Sequence, residues 1–326
     1  MLRLIGFLLT LCLGAPAAGP VMIVLHKGAS SMGFYTPEGK ALATVPVGKH
    51  PHEMVLSADG RLAYVSDNGT MRIEEAGTGG NTVSIVDLVA RKKAGEISLG
   101  KFHRPHGLDL NHETGLLAVS TELPDQLVVV DVKTRRIVKT FDTNGKTAHM
   151  VAWGPGARWA YVCNSSSANV AAIERATGKV KLIPAGERPE GSVLSHDGRF
   201  VYVVNRESHG ITIIDTAKNE AAGEIRTGKG PVRIALTPDG RTLVYALMHD
   251  RKVEFADAAA RRVIGQVSLG GRPVSLGLSS DGKLAFASAQ DDDTVYVVSV
   301  AEKKVLRQIR TAKGTAPDPA LQIQVQ

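Results

Sequence analysis

The chain predicts an all-β fold, a seven-bladed β-propeller of four-stranded blades. Three observations predict it. A glycine opens a recurring unit at Gly48, Gly100, Gly145, Gly186, Gly228, Gly270 and Gly314, at spacings of 52, 45, 41, 42, 42 and 44 residues. Inside each unit, short β-branched runs alternate with tight-turn signals. The two ends of the chain hold complementary parts of one further unit, which makes sense only if the ring closes.

The elements follow in order. After the opening glycine comes a loop, usually with a proline, and then a short apolar first strand. A turn follows at Asp59-Gly60, Pro155-Gly156, Asp197-Gly198, Asp239-Gly240 and Asp281-Gly282, with Glu113-Thr-Gly115 as a variant. Glycine supplies the positive φ that such hairpins need. Third strands read Val83-Ser-Ile-Val-Asp87, Leu127-Val-Val-Val-Asp131, Ile211-Thr-Ile-Ile-Asp215 and Val253-Glu-Phe-Ala-Asp257. Their β-branched residues suit strands packed between neighbouring blades. A basic, partly apolar fourth strand leads to the next glycine. The segment from Val21 to Gly48 supplies three strands of the seventh blade, and Leu321-Gln-Ile-Gln-Val325 supplies the missing first strand, so the C-terminal strand joins the N-terminal ones.

Second strands read Tyr64-Val-Ser-Asp-Asn68, Tyr161-Val-Cys-Asn164 and Tyr202-Val-Val-Asn205. With the flanking proline and Asp-Gly elements, this pattern resembles the YVTN repeat of YncE-like propellers. Leu117-Ala-Val-Ser-Thr121 and Val244-Tyr-Ala-Leu-Met248 depart from it. The resemblance spans nearly the whole chain after its leader and implies the propeller fold. It leaves function open among binding proteins, lactonases of the phosphogluconolactonase type and haem d1 propellers.

Residues 1–18 read as a secretory signal peptide: Arg3, an apolar run from Leu4 to Leu13, then Ala15-Pro-Ala-Ala18. Residues 19–326 are then a single propeller domain, periplasmic or secreted. One cysteine, Cys163, remains beyond the leader, so no internal disulfide is expected, and the residue reads as a small core side chain. The formal charge of +7 favours anionic partners, but the basic residues are scattered. Two tryptophans are too few for a nucleic-acid stacking platform, and no later segment is apolar enough to cross a membrane. Ring closure removes the usual sheet-edge route to pairing, which predicts a monomer.

In a propeller the first strands line a central channel, and the loops that precede them converge on its mouth. Eight of the ten histidines fall in loops of that face. The residue after the loop proline is His52, His106, Glu190, Val232, Val274 and Asp318, and His149 takes the same place after Ala148. Three adjacent blades thus offer histidine and the next offers glutamate. That set, His52, His106, His149 and Glu190, is a candidate site for a divalent metal such as Zn, with Glu190 as the candidate catalytic base. Arg104, Arg188, Arg233 and Arg272, with His209, form a candidate clamp for a carboxylate or phosphate. The Gly-rich insertion from Thr70 to Gly80 rises from the same face and is placed to cover the mouth. The expected function is extracytoplasmic binding of a small anionic ligand, a metal or a protein partner at this mouth. The alternatives are a metal-dependent lactonase or other hydrolase at the same site and, third, a haem d1 propeller.

Overall fold

A computed structural model describes residues 19–325. The expected signal peptide lies outside them. The chain forms seven four-stranded antiparallel sheets arranged as a β-propeller, with three single-turn 3-10 segments as its helical content among the described residues. We number the blades from the first complete unit. Their channel-side first strands are Pro51–Leu56, His103–Asn111, Ala148–Trp153, Pro189–Leu194, Pro231–Leu236 and Ser275–Leu278 for blades 1 to 6. Blade 7 is composite. Its first strand, Pro317–Val325, pairs with Gly19–His26 in a register running from Gly19 opposite Val325 to His26 opposite Pro317. This is the predicted closure, and every sheet has its four strands.

The core lies between blades. Val244 and Phe255 of blade 5 pack with Ala285, Ala287 and Tyr296 of blade 6 in one cluster, and blades 7 and 1 share another through Leu25, Phe34, Val65 and Val86. The outermost strands are largely exposed, as Lys92–Ser98 and Arg262–Ser268 are, with only Ile97 and Val267 buried in them. Burial on both faces explains why the middle strands read as continuous β-branched runs and the outer ones do not.

The repeat glycines have two separate causes. Gly60 and its equivalents adopt left-handed φ near the hairpin, 67° at Gly60 and 72° at Gly198. Gly48 instead lies against the end of the second strand. A Cβ there would meet the Asp67 side chain at 2.1 Å, and the Gly48 amide donates to Asp67 Oδ1 at 2.9 Å. Gly145 lies against Asn164 and Gly186 against Asn205 in the same way. Among the described residues no helix is long and apolar enough to cross a membrane.

Candidate ligand site at the channel mouth

Two rings of equivalent residues build the mouth. The lower ring is the residue after the proline position: His52, His106, His149, Glu190, Val232, Val274 and Asp318 for blades 1 to 7. The upper ring is the residue that follows the second strand. Lys27, Ser165, Arg206 and Met248 all stand at this place, and each donates its backbone N–H to the carbonyl just before the first strand of its own blade. Six lower-ring and four upper-ring residues, Lys27, Arg206, Met248 and Gln290, line a cavity of about 460 Å³, with Arg233 in its wall. His106, the remaining lower-ring residue, is sandwiched between its neighbours.

The three histidines form a stack. The ring centroids of His52 and His106 are 3.9 Å apart, those of His106 and His149 3.7 Å, and those of the outer two 6.4 Å. Burial is the main cause holding all three imidazoles well below their ordinary pKa, and nearby cations add to it. His106 Nδ1 lies 2.5 Å from Glu122 Oε1, while its buried Nε2 has no partner. His149 Nδ1 is likewise buried without a partner, and its Nε2 is 4.0 Å from Glu190 Oε2. Two serines seat the stack from behind: Ser66 Oγ donates to the His106 carbonyl at 2.8 Å, and Ser120 Oγ donates to the His149 carbonyl.

Three acid–base pairs surround the histidines. Arg233 reaches across the channel to Glu53, with Nη2 at 2.6 Å from Oε1. Arg206 Nη1 lies 2.9 Å from Glu190 Oε1. The third pair is looser: Lys27 Nζ stands 3.8 Å from Asp318 Oδ2, beyond hydrogen-bond range. Asp318 Oδ2 instead accepts from Gln290 Nε2 at 3.0 Å, while His52 Nδ1, 3.1 Å from the same oxygen, makes no hydrogen bond. Burial pushes Asp318 up to about 6, against the pull of Lys27 and Arg233, and burial likewise raises Glu190 against the pull of Arg206. Burial also lowers Lys27, whose side chain is 5% exposed.

The insertion covers the mouth. Met71, Arg72, Ile73 and Glu74 all contribute to the cavity wall. Arg104 of blade 2 holds the insertion through its backbone, donating to the Ile73 carbonyl at 3.0 Å, to the Gly77 carbonyl at 2.8 Å and to the Glu75 carbonyl. Arg188 of blade 4 reaches Glu74 at 3.4 Å. The lid therefore spans blades 1 to 4.

Several expected ligand residues stand elsewhere. Arg104 and Arg188 fasten the lid and do not line the cavity; each stands directly before the lower-ring proline at a left-handed φ, 53° and 57°. His209 also stays outside the cavity. Its Nδ1 lies 2.9 Å from the Arg206 carbonyl, bracing a turn. Arg272 reaches the cavity rim but pairs with Asp291 at 2.7 Å. Arg233 is the one arginine of the expected clamp that is buried in the wall. The four expected metal ligands are brought together, but their rings stack and do not converge. A different trio, His52, Glu53 and Asp318, places one ligand atom apiece within 4.8 Å of one another. Arg233 already engages Glu53, and Lys27 stands beside Asp318, so a dication there would face two cations.

Sequence reasoning missed Lys27, Glu53, Glu122 and Arg206. The signal was positional. Lys27 and Arg206 follow their second strands at the upper-ring place, Glu122 lies near the end of its second strand, Leu116–Leu123, and Glu53 occupies in blade 1 the position that Arg233 occupies in blade 5.

The chain matches no protein-family model and no curated protein sequence. Solved structures share the fold. A functionally unknown protein from Desulfotomaculum acetoxidans DSM 771 superposes with a TM-score of 0.78 at 16% identity, over 94% of this chain and 99% of that one. The periplasmic gluconolactonase PpgL of Pseudomonas aeruginosa superposes with a TM-score of 0.75 at 16% identity, over 94% and 99%. The dihydro-haem d1 dehydrogenase NirN does so with a TM-score of 0.65 at 16% identity, over 90% of this chain and 64% of that one. At these identities the likeness is one of fold.

Proposed function

We propose that the chain is an extracytoplasmic, YncE-like propeller that binds a small organic anion beneath the lid at the channel mouth. The observation that carries this reading is the Lys27 ammonium. It lines a lidded cavity, has a side chain 5% exposed, and makes no hydrogen bond among the described residues, whereas the buried Arg233 is closed onto Glu53. An ammonium has three donors, and here they face the cavity with no protein acceptor in hydrogen-bond range. A ligand carboxylate or phosphate oxygen would supply the missing acceptor. His149 and Arg206 line the facing wall. The YVTN-like second strands and the leader-like residues 1–18 support the extracytoplasmic, YncE-like placement.

Titration calorimetry with acetate and with inorganic phosphate, on wild type and Lys27→Met, tests this reading. The methionine keeps the apolar stem and removes the charge. Binding by wild type that weakens at least about tenfold in the variant, roughly the worth of one charged hydrogen bond, supports it. Equal binding by the two proteins, or none by either, refutes it.

A second reading, a metal-dependent lactonase, is favoured by one observation. Glu122 orients His106 at Nδ1 and leaves Nε2 free, the arrangement by which carboxylates support metal-bound imidazoles. It requires the stacked rings to turn and converge. Elemental analysis of untagged protein beside His106→Ala decides it: near-stoichiometric Zn lost in the variant supports the metal reading, and no metal after loading with Zn removes it.

A further inference from the structure

We infer that the anion bound at the mouth is amphiphilic, with its charged head at Lys27 and a short apolar chain lying along blades 5 and 6. This rests on the anion reading above and adds to it the class of ligand.

The mouth has two unlike walls. Five consecutive blades, from 7 through 4, present Asp318, His52, His106, His149 and Glu190. The remaining two present Val232 and Val274; blade 5 adds Met248 from its upper-ring place and Arg233, while blade 6 adds Gln290 from its upper-ring place and Arg272 and Asp291 at the rim. Sevenfold pseudo-symmetry sets this apolar arc across the channel from blades 1 and 2, which carry His52 and His106. Val232 and Met248 join one apolar cluster with Leu276 of blade 6, but Met248 and Val274 are only partly buried and face the cavity. The lid continues the apolar surface overhead with Met71 and Ile73.

Open apolar surface inside a charged cavity has a direct consequence for ligand choice. A wholly polar ligand that filled the cavity would turn hydroxyls towards valine and methionine, where they find no partner. A chain of methylenes gains there from burial while the head remains at Lys27. Lys27 belongs to blade 7 and Val274 to blade 6, so head site and chain site are next to each other around the ring. The cavity, about 460 Å³, lies in the range of small-ligand sites and sets an upper limit on chain length.

The test is calorimetric titration of straight-chain carboxylates from acetate to octanoate into the leaderless chain. Wild type is expected to bind each longer member up to about fourfold more tightly per added CH₂, until the chain outgrows the cavity. Val274→Thr and, separately, Met248→Gln are expected to flatten the series, since each sets a polar group against the chain. Lys27→Met is expected to weaken every member while the slope persists. A wild-type series of constant affinity, or a full slope in both wall variants, overturns the inference. If such a flat series is still weakened by Lys27→Met, the anion reading stands without the chain. If no member binds, both fall.

Discussion

Glu122 Oε1 lies 2.5 Å from His106 Nδ1, so the central imidazole of a buried stack of three is fixed by one carboxylate. Burial is the main cause that pushes Glu122 up to about 7 and holds His106 well below its ordinary value. Burial thus disfavours a separated charge on either group. Glu122→Gln keeps the size and a polar partner, and is expected to keep the stack. Glu122→Ala leaves a buried nitrogen alone and is expected to cost about 1–3 kcal/mol. Urea denaturation of the two variants checks the difference. Equal loss in both would show that the carboxylate's charge, not the hydrogen bond, holds His106.

The lid depends on Arg104 more than on Arg188. Arg104 meets three lid carbonyls from a side chain that is 11% exposed, whereas Arg188 meets a largely exposed Glu74 through one contact. Arg104→Ala is expected to loosen residues 71–79 with little change in global stability. Hydrogen exchange in that segment should accelerate at least about tenfold, one lost tie of roughly 1.5 kcal/mol or more. Arg188→Ala should change it little at physiological salt, as exposed pairs are screened. Protection unchanged in Arg104→Ala would assign the lid's order to its own backbone turns.

His26 gives the fold an acid-sensitive point away from the ligand. Its ring is buried between Ser31 Oγ at 3.1 Å and Tyr35 Oη at 2.8 Å, and burial is the main cause that lowers its pKa to about 4. The folded state thus refuses a proton that the unfolded chain takes near 6.5. Its contribution is whole above that value, declines as pH falls, and levels off near 4, a loss on the order of 3 kcal/mol. His26→Gln lacks this titration. The stability of wild type relative to the variant is expected to fall steadily between pH 7 and 4 in urea melts. A constant difference would contradict the lowered value.

Most of the fold was legible because its determinants are local and repeat. A glycine against the second strand, an Asp-Gly turn and a β-branched third strand recur wherever the blade geometry demands them, and Pro317–Val325 pairs with Gly19–His26 as the split ends implied. The lower ring was legible by the same register, as the residue after the proline. Arg233 looked displaced in sequence because it stands one position further along its strand. That is also the position of Glu53, and the two meet across the channel at 2.6 Å. A contact between blades 1 and 5 depends on ring closure and leaves no local trace. Lys27 was hidden for a related reason. It lies in the one blade assembled from both chain ends, where Asp318 is 291 residues away in sequence yet adjacent in space.

Cys163 tests whether the blades are interchangeable at a finer level. Ser66 and Ser120 occupy the fifth place of their second strands, accept from the amides of Glu53 and Gly107, and donate to the His106 and His149 carbonyls. Cys163 occupies the same place in blade 3, fully buried, and burial pushes its thiol up to about 12. A thiol so placed is expected to be inert to disulfide reagents until the protein unfolds. Cys163→Ser puts a hydroxyl where two neighbouring blades already use one, with the next blade's Glu190 carbonyl as the equivalent acceptor. The variant is therefore expected to lie within about 1 kcal/mol of wild type, well short of the penalty for an unpaired buried hydroxyl. Cys163→Val, equally apolar but bulkier and without a donor, should be the less stable of the two. Urea melts that rank valine above serine would mean that blade 3 supplies no acceptor at this point, and that the serine bridge belongs to the two blades which carry His52 and His106.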